Sequence, residues 1–582
     1  MAVRIFYDGD CPFCSHYVRL LRLRADHQNP QLIDLRHSPR ESIQLRDRGF
    51  DLDQGMVVLV DGRWYAGDQA VHVLALLTSP SSAFNKLNRI LFSSARFSGL
   101  TYPILRAGRN LTLFLLGRDR WTTESTSEFA FIGLFNAALA LFAILHAISY
   151  SFFSYGATVY LSTILIGVFG VALLLKPTSM RLFAGLILVL LFDALQQPPL
   201  NSNHTIIKNF LLLAMAVCGI RQLWRGGRWS DFYTDFAPIG RVLLVTMYVF
   251  GIFHKINRDF LNPEVSCAVA LWRAMPPPLS YLDNVAIHKV AIYGTFVAEG
   301  LIAFSLLMRR TRHWGIALGI VFHVLLALSS YAMYVQFSML AVTLHILFVE
   351  REDAVRIQAA AAWRRLQSGL HSPRGYAMFS GWLILLVFLG WNGGYTEISI
   401  VWMPSVLFFA WMCLSVRHEP DKAAGAFSQL WSPALLANVI SILFFLNCAA
   451  PYLGLKTSQS INMFANLQLE GGRSNHLVFS NPPGPFGYLS DIVTITSSSG
   501  SPLLSYVKEE GLKLTYYQLL DHLERNSSVR VSFERGGERF VDQSAQSLGS
   551  EITKVLHPRW MRFWLHFTVV DLSSPKPCAI DR

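Results

Sequence analysis

Two cysteines near the start of the chain have the spacing of a redox-active pair. Cys11 and Cys14 enclose two residues. Residues 3–7 are predicted to form a short buried strand, residues 8–10 have turn composition, and the apolar residues that follow recur at helical spacing. The pair therefore lies where a helix begins, and the helix dipole there stabilises a thiolate. We expect Cys11, exposed at the helix start, to be the nucleophile and Cys14 to resolve the mixed disulfide.

Two other interpretations of this pair are a zinc half-site and an inactive dithiol. A structural zinc ion needs four ligands, and His16 with the two cysteines supplies three. The chain lacks a second cysteine pair at metal-ligand spacing, so no metal site is predicted. The seven cysteines are also an odd number without the regular spacing of a disulfide framework.

The elements that must position the pair belong to an α/β domain. Strands are predicted over Met56–Asp61 and Arg63–Tyr65, joined by an Asp-Gly turn, and a helix over Asp68–Leu77. This order of strand, helix and hairpin is typical of a thioredoxin-like fold. We expect this domain to cover residues 1–118.

The segment Tyr7–Cys14 resembles the Asp-x-x-Cys-x-x-Cys signature of the DCC-type thiol-disulfide oxidoreductases. Gly67–Ala70 and the residues Tyr102-Pro103, Arg106 and Arg109-Asn110 resemble later segments of that family. The resemblance implies thiol-disulfide exchange, with Asp8 near the cysteines as a candidate proton acceptor. A thiol reductant in the cytoplasm would keep the pair reduced.

The remainder of the chain has the composition of a membrane protein. Of its 582 residues 52% are hydrophobic and only 15% are charged, against roughly 25% in soluble domains. The net charge of +12 does not indicate nucleic-acid binding, because the basic residues cluster between apolar runs. We expect an all-α polytopic membrane domain over residues 119–455. Eleven apolar segments are candidate spans, centred on Phe129–Ala147, Ala157–Leu175, Leu182–Leu195, Ile206–Leu223, Ile239–Phe253, Val285–Leu307, Trp314–Ser330, Val335–Phe348, Met378–Trp391, Ile398–Leu414 and Leu435–Ala450.

The distribution of basic residues predicts the orientation. With the N-terminus in the cytoplasm, sixteen Lys and Arg residues fall on the inner side of the spans and five on the outer side. Eleven is an odd number of spans, so the C-terminal segment is expected outside. The predicted location is the plasma (inner) membrane.

A second candidate site follows the fifth segment, in the outer stretch of residues 254–289. His254, Lys255 and Asp259 are ionisable groups at a membrane face, which favours a functional role. Desolvation of Lys255 would make its amine a base, although a lysine at a helix end also extends to the interface for structural reasons. Glu299 and His323 lie in adjacent spans and are expected to pair, as a functional or a structural polar contact.

The residues Gly251–Asn257, Glu299, Phe322-His323 and Phe337–Leu340 resemble the horizontally transferred transmembrane domain related to vitamin K-dependent gamma-carboxylase. The resemblance implies that Lys255 acts as a base in oxygen-dependent hydroquinone chemistry. A quinone is the cofactor it would suggest.

Residues 456–582 turn polar and are expected to form a small α+β domain on the outer face. Strands are predicted at Ile492–Thr496 and Val529–Phe533 and a helix at Thr515–Leu523. Four polar residues near its start have two possible interpretations: they complete the second site, or they belong to a turn that ends the membrane domain. These residues are Glu470, Arg473, Asn475 and His476. Cys578, near the chain end, is expected to be disordered.

The leading hypothesis is a membrane-bound thiol-disulfide oxidoreductase that passes electrons from the cytoplasmic pair to a quinone or an outer thiol. A disulfide between Cys267 and Cys448 would be the outer acceptor. One alternative is a proton-linked transporter that uses the buried residues Asp193, Glu299, His323 and His345. Another is a non-catalytic membrane scaffold with the N-terminal fold as a docking module.

Overall fold

The computed structural model describes most of the chain in two compact units. The described residues are 3–23, 30–79, 81–118, 125–154, 161–196, 202–225, 227–329, 333–416, 428–480, 484–556, 558, 561–562 and 564–578. One unit comprises Met1–Glu128 and Ala216–Asp235, and the other comprises Phe129–Met215 and Phe236–Arg582.

The first unit contains a four-stranded mixed sheet with helices on both faces. The sheet order is β2-β1-β3-β4, with β1 parallel to β2 and β3 antiparallel to both of its neighbours. The elements are β1 (Val3–Tyr7), α1 (Pro12–Leu20), β2 (Gln31–Asp34), α2 (Pro39–Asp47), β3 (Val57–Val60), β4 (Arg63–Ala66), α3 (Asp68–Leu77), α4 (Ala83–Phe92) and α5 (Ala95–Leu116).

Alternation along the strands builds a separate core on each face of this sheet. Val3 and Ile5 of β1 pack with α1 and α3 on one face, while Phe6 packs with α2 on the other. The two central strands, β1 and β3, are therefore covered on both sides. The turn between β1 and α1, which carries the cysteines, is fixed at the edge of the first core.

The second unit begins with a helical region. Three of the helices, α6, α9 and α10, also contain residues of the first unit. The helices are α6 (Thr126–Ser154), α7 (Leu161–Leu175), α8 (Met180–Gln196), α9 (Asn203–Arg225), α10 (Trp229–His254), α11 (Arg258–Leu261), α12 (Cys267–Arg273), α13 (Val285–Leu307), α14 (Arg312–Leu328), α15 (Met333–Ile346), α16 (Arg351–Ala359), α17 (Ala361–Leu370), α18 (Pro373–Trp391), α19 (Tyr395–Ser415) and α20 (Leu435–Ala449).

Seven helical segments in the described chain are long and apolar enough to cross a membrane. They are Thr126–Ser149, Asn203–Arg225, Trp229–His254, Val285–Leu307, Pro373–Trp391, Tyr395–Ser415 and Leu435–Leu453. The other four predicted spans correspond to α7, α8, α14 and α15, none of which exceeds 17 residues. A straight span across ~30 Å of hydrocarbon needs ~20 residues, and within the described residues these four helices are shorter than that. Three of them, α7, α8 and α15, adjoin residues outside the described ranges, so the eleven-span prediction stays a prediction.

The C-terminal region contains an antiparallel sheet, and its predicted elements are confirmed. The sheet order is β6-β5-β7-β8. Val493, Leu520 and Phe533 are fully buried in the interior of this region. The elements are β5 (Ile492–Ser499), α21 (Pro502–Glu509), β6 (Leu514–Thr515), α22 (Tyr516–Arg525), β7 (Arg530–Arg535), β8 (Glu538–Gln543) and α23 (Gly549–Val555).

The expected Cys267–Cys448 disulfide is wrong, as is the expected disorder of Cys578. Cys267 is bonded to Cys578, with their α-carbons 4.9 Å apart, and Cys448 is a buried free thiol. The tail is held before it reaches the disulfide, because Val570 exchanges backbone hydrogen bonds with Lys513. Cys578 then packs in an apolar cluster with Phe260 and Cys267.

Candidate functional site

The Cys-x-x-Cys pair lies where the sequence places it, at the first turn of α1. Cys11 is the N-cap residue, and its Sγ accepts a hydrogen bond of 3.1 Å from the backbone N–H of Cys14. Pro12 occupies the first helical position, where no N–H donor is needed. The helix start therefore presents a donor to the sulfur that would carry negative charge.

Cys11 is not exposed as expected, since its side chain is 0% accessible to solvent. The cause is the preceding turn, in which the Cys11 N–H donates to the carbonyl of Asp8 at 3.1 Å. This turn buries the Cys11 side chain, whereas Phe13 of the same motif is exposed. A substrate disulfide must therefore displace local structure to contact Cys11.

The two thiols have opposite electrostatic environments. The hydrogen bond from the Cys14 thiol lowers the pKa of Cys11 to about 7, with help from the Cys14 N–H and the Arg109 guanidinium and against the effect of burial. The same thiol–thiol hydrogen bond, together with burial, raises the pKa of Cys14 above its ordinary range. These opposite shifts favour the thiolate at Cys11 and the protonated thiol at Cys14. The roles of nucleophile and resolving cysteine stay predictions.

Asp8 is buried and ion-paired with two arginines. Its Oδ1 accepts from Arg36 Nε at 2.9 Å, and its Oδ2 accepts from Arg109 Nη2 at 3.2 Å. Both carboxylate oxygens are engaged by cations, so the geometry favours Asp8 as an anchor for Arg109 over the predicted role as a proton acceptor.

Arg109, a buried residue, was not assigned a role by sequence reasoning. Its second amino group, Nη1, donates to the carbonyl of Asp53 at 2.8 Å, which fixes the guanidinium near the thiols. The signal that could have identified it is its place in the family-like segment that also contains Tyr102 and Arg106. A buried arginine needs an anionic partner. In this domain Arg109 has Asp8 and the Cys11 thiolate as such partners.

Helix α5 closes over the loop that precedes β3. The Tyr102 hydroxyl donates to the carbonyl of Gln54 at 2.8 Å. A Cβ atom at Gly55, whose φ is +140°, would lie 1.8 Å from that hydroxyl, so only glycine fits here. The loop 53–55 and α5 therefore hold Arg109 in a fixed position.

In the helical region, Lys255 and Glu299 form a buried ion pair at the wall of a cavity. Lys255 Nζ lies 2.5 Å from Glu299 Oε1. The cavity measures about 80 Å³ and is also lined by His323, Tyr248 and Phe464. Glu299 Oε2 is buried and has no hydrogen-bond partner within the described residues. The expected Glu299–His323 pairing is wrong as a direct contact, because Glu299 binds Lys255 and His323 binds Tyr248.

Tyr248 joins two histidines into a hydrogen-bonded chain. His345 Nδ1 donates to the Ala341 carbonyl at 2.7 Å, so its Nε2 accepts from the Tyr248 hydroxyl at 3.2 Å. The Tyr248 oxygen must then accept from His323 Nε2, 2.9 Å away. His323 Nδ1 is left as a buried acceptor without a partner in the described chain. Tyr248 was missed, although it precedes Lys255 by two helical turns.

Asn475 and His476 contact the segment around Lys255, and their place in a functional site stays a prediction. The Asn475 amide donates to Asp259 Oδ2 at 2.7 Å, and His476 Nε2 donates to the Phe253 carbonyl at 2.9 Å. His476 Nδ1 accepts from backbone N–H groups. His254 is likewise engaged at both ring nitrogens, with Tyr452 and the Ser460 carbonyl. The three side chains hold the backbone beside Lys255 in place. Both ring nitrogens of His254 and of His476 are occupied by hydrogen bonds, so neither histidine has a free nitrogen for chemistry.

Glu470 and Arg473 do not join this cluster. Glu470 is buried, accepting from the Thr568 hydroxyl at 2.7 Å and from the Leu469 N–H. The Arg473 side chain is exposed to solvent. The Gly471-Gly472 turn explains this, since both glycines have positive φ and direct Arg473 outward.

The cavity beside Lys255 does not fit the quinone that the sequence suggested. A cavity of about 150 Å³ accommodates a single benzene ring, and this one has about half that volume. No quinone step is therefore assigned to it.

A second polar cluster, outside the predicted site, surrounds Asp193. Lys208 Nζ lies 3.6 Å from Asp193 Oδ2 and 3.5 Å from His146 Nε2. Gln336 Oε1 bridges His146 and His204 at 3.1 and 2.8 Å. Among the described residues no group of His, Cys, Asp and Glu has the arrangement of a metal site.

A helix-capping cysteine with a lowered pKa beside a second cysteine with a raised pKa is the arrangement that thiol-disulfide exchange requires. Residues 5–114 match the family model of the DCC1-like thiol-disulfide oxidoreductases. No curated protein and no solved structure matches the chain significantly.

Proposed function

We propose that the chain is a membrane-bound thiol-disulfide oxidoreductase with a thioredoxin-like domain over residues 1–118. A carboxylase-like membrane domain would follow over 119–455 and a small extracytoplasmic domain over 456–582. The carrying observation is the dithiol geometry: Cys11 Sγ caps α1 at 3.1 Å from the Cys14 N–H, beside the buried Arg109. The order of the first sheet and the family match to residues 5–114 support it.

The exchange reaction uses both cysteines and transfers two electrons. The Cys11 thiolate attacks one sulfur of a substrate disulfide, which forms a mixed disulfide and releases one substrate thiolate. Cys14 then gives up its proton and attacks Cys11 Sγ, which releases the second substrate thiolate and leaves a Cys11–Cys14 disulfide. The substrate is reduced, the pair is oxidised, and a cytoplasmic thiol reductant would restore it.

The test is the reactivity of the two thiols in the full-length protein. Iodoacetamide at neutral pH is expected to modify Cys11 well before Cys14, as located by peptide mass spectrometry. A Cys11–Cys14 disulfide should form reversibly in glutathione buffers. Two equally slow thiols that never pair would contradict a redox function.

We propose that the N-terminus is cytoplasmic and the C-terminal region extracytoplasmic. The seven candidate spans are odd in number, and the shorter helices α7 with α8 and α14 with α15 come in pairs that would return the chain to the same side. The excess of basic residues in the predicted inner loops supports this orientation. The Cys267–Cys578 disulfide does too, because such bonds persist in oxidising compartments.

In the membrane domain, we propose that Lys255 and Glu299 act as one proton-transfer unit of a carboxylase-like site. The ion-paired lysine holds a proton and becomes a base only when Glu299 takes that proton. Infrared spectroscopy of the reconstituted protein tests this. A protonated-carboxyl band that appears on titration and disappears in Glu299→Gln supports the unit, and its absence in the unsubstituted protein at every pH contradicts it.

Electrons from the cytoplasmic pair would need a mobile carrier to reach the outer side. Thiol exchange requires direct contact between sulfur atoms, and ~30 Å of hydrocarbon separates the two faces. Cys448 is buried and unpaired and Cys267 is bonded to Cys578, so the acceptor disulfide first expected is absent. If a quinol is such a carrier, adding it to the membrane should reduce the Cys267–Cys578 disulfide.

A further inference from the structure

Helices α4 and α5 turn polar side chains toward the interior of the domain and apolar side chains outward, the reverse of a surface helix in a soluble protein. In α5 the side turned toward the domain carries Ser98, Tyr102 and Arg109. The opposite side carries a stripe of exposed apolar side chains, with Leu100 at 72% and Ile104 at 59% accessibility. A helix in water shows the opposite distribution.

The stripe is continuous along α5 and extends to α4. Its members recur at three-, four- and seven-residue spacings, so they share one face. In α4 the asparagines at 85 and 88 are buried, while Ile90 is 75% exposed. The exposed apolar residues of this surface, here called the α4–α5 face, are Leu87, Ile90, Phe97, Leu100, Ile104 and Leu111.

Basic residues lie along the edge of the α4–α5 face. Lys86 and Arg89 of α4 adjoin Leu87 and Ile90 in sequence, and Arg96 lies in the first turn of α5. All three basic residues are exposed. The two helices contain no Asp or Glu. An apolar surface with a purely cationic border is the pattern of helices that lie in the interface of an anionic membrane.

The other side of α5 contacts the segment that joins two candidate spans. Arg106 Nη2 donates to the Trp224 carbonyl at 2.8 Å, and the rings of Phe114 and Trp229 are 5.2 Å apart. Trp224 and Trp229 belong to the ends of α9 and α10, which are both candidate spans. The loop between two spans lies at the interface, where tryptophan and arginine are enriched. Nine residues of sequence separate the end of α5 from the candidate span that begins at Thr126.

From these observations we propose that the α4–α5 face inserts into the cytoplasmic leaflet of the membrane that the rest of the chain spans. The apolar side chains enter the acyl region and Lys86, Arg89 and Arg96 bind anionic headgroups. This extends the proposed function, because the lipid-bound helix is the one that carries Arg109 to the thiols. We assign lipid as the group that covers the α4–α5 face. Coverage by a second copy of the chain or by another protein would contradict the proposal.

The test uses the full-length protein in nanodiscs with a fluorescent NBD label on one introduced cysteine. Cys11 and Cys14 are replaced by serine so that they do not react. Ile104→Cys labels the face, and Ile43→Cys, on α2 and 50% exposed, is the matched control. An interfacial helix places its apolar side roughly 5–10 Å into the headgroup–acyl boundary. Lipids brominated at shallow acyl positions should therefore quench the emission at 104 and leave that at 43 unchanged.

Three outcomes would overturn the proposal. Water-like emission at position 104 would mean that the face is solvated. Blue-shifted emission without quenching by bromolipid would mean that protein, not lipid, covers the face. Equal quenching in anionic and neutral nanodiscs, unchanged by Lys86→Gln with Arg89→Gln and Arg96→Gln, would exclude the proposed headgroup contacts. Because no readout depends on thiol exchange, failure here is distinguishable from failure of the proposed redox function.

Discussion

At the scale of single residues, the chemistry of the dithiol depends on a short list of contacts. The Cys14 thiol and N–H both bind Cys11 Sγ, and Arg109 adds a positive charge fixed by Asp8 and Asp53. Each of these contacts favours the thiolate over the thiol. Removing any of them should raise the pKa of Cys11, which gives two predictions.

The Arg109→Gln substitution should raise the pKa of Cys11 by about one unit, since an adjacent opposite charge typically lowers an acid's pKa by 1–3 units. The measurement is the pH dependence of iodoacetamide alkylation at Cys11. Its midpoint should move from about 7 toward alkaline pH. Arg106→Gln is the control, because Arg106 lies on the same helix and binds Gln54 and Trp224 instead of Asp8. Equal midpoints in the two variants would contradict the role of Arg109.

The Cys14→Ala substitution should raise the pKa of Cys11 because it removes the thiol donor, the largest cause of the shift. Below the pKa the thiolate fraction falls about tenfold per pH unit. Alkylation of Cys11 at pH 6 should therefore slow several-fold, while the rates at pH 10 should converge. The variant should also accumulate a mixed disulfide with its substrate, visible by mass spectrometry. Rapid release of that adduct would show that Cys14 is not the resolving cysteine.

The cysteines could be predicted from sequence because their function requires close spacing, whereas their charged neighbours could not. Arg36 and Arg109 are 28 and 101 residues from Asp8 in the chain. No local pattern connects residues at such separations. The same reason explains why Tyr248 was overlooked, since its partners His323 and His345 come from other helices.

At the scale of elements, the segment after Lys255 is held by a clamp from the chain that follows the last span. Residues 256–258 and 475–477 exchange backbone hydrogen bonds, Leu477 N–H to Ile256 and Arg258 N–H to Asn475. The Asn475 side chain adds contacts to Asp259 and to the Asn466 carbonyl. This clamp sets the position of Lys255 relative to Glu299.

Asn475→Ala should destabilise the protein by about 1–3 kcal/mol, the cost of leaving buried hydrogen-bonding groups unsatisfied. Thermal unfolding in nanodiscs measures it. Arg473→Ala, two residues away and exposed, is the control and should change the unfolding temperature little. If both variants unfold alike, the Asn475 contacts do not hold the clamp.

Helices and strands with regular apolar periodicity were predictable, and elements defined by distant contacts were not. The strands and helix of the C-terminal region were found from alternation and helical spacing. The windows Ile239–Phe253 and Met378–Trp391 understated their helices, α10 and α18, because polar residues such as Asp235 and Arg374 extend those helices beyond the apolar run. Cys578 was expected to be disordered because it lies near the chain end, and no local pattern in the sequence indicates that Val570 pairs with Lys513.

At the scale of the whole molecule, the arrangement proposed here assigns reducing and oxidising chemistry to opposite sides of one membrane. The dithiol with a pKa of about 7 at Cys11 suits a compartment that keeps thiols reduced. The Cys267–Cys578 disulfide closes a sequence separation of 311 residues and needs an oxidising compartment. Both conditions are met when the seven candidate spans place the two ends of the chain on different sides.

This orientation predicts opposite labelling of two introduced cysteines in intact cells. A membrane-impermeant maleimide should label Arg473→Cys, since the orientation places this exposed position outside, and should not label Ile43→Cys until the membrane is opened. Both substitutions are made together with Cys11→Ser and Cys14→Ser, because Cys11 is expected to react with thiol reagents. The same chain without an introduced cysteine is the control, since Cys218, Cys413 and Cys448 are buried. The reverse pattern would place the Cys267–Cys578 bond in the reducing cytoplasm and the dithiol outside. Labelling of both positions in intact cells would mean that the number of crossings is even, so that one of α7, α8, α14 and α15 crosses the membrane without its neighbour.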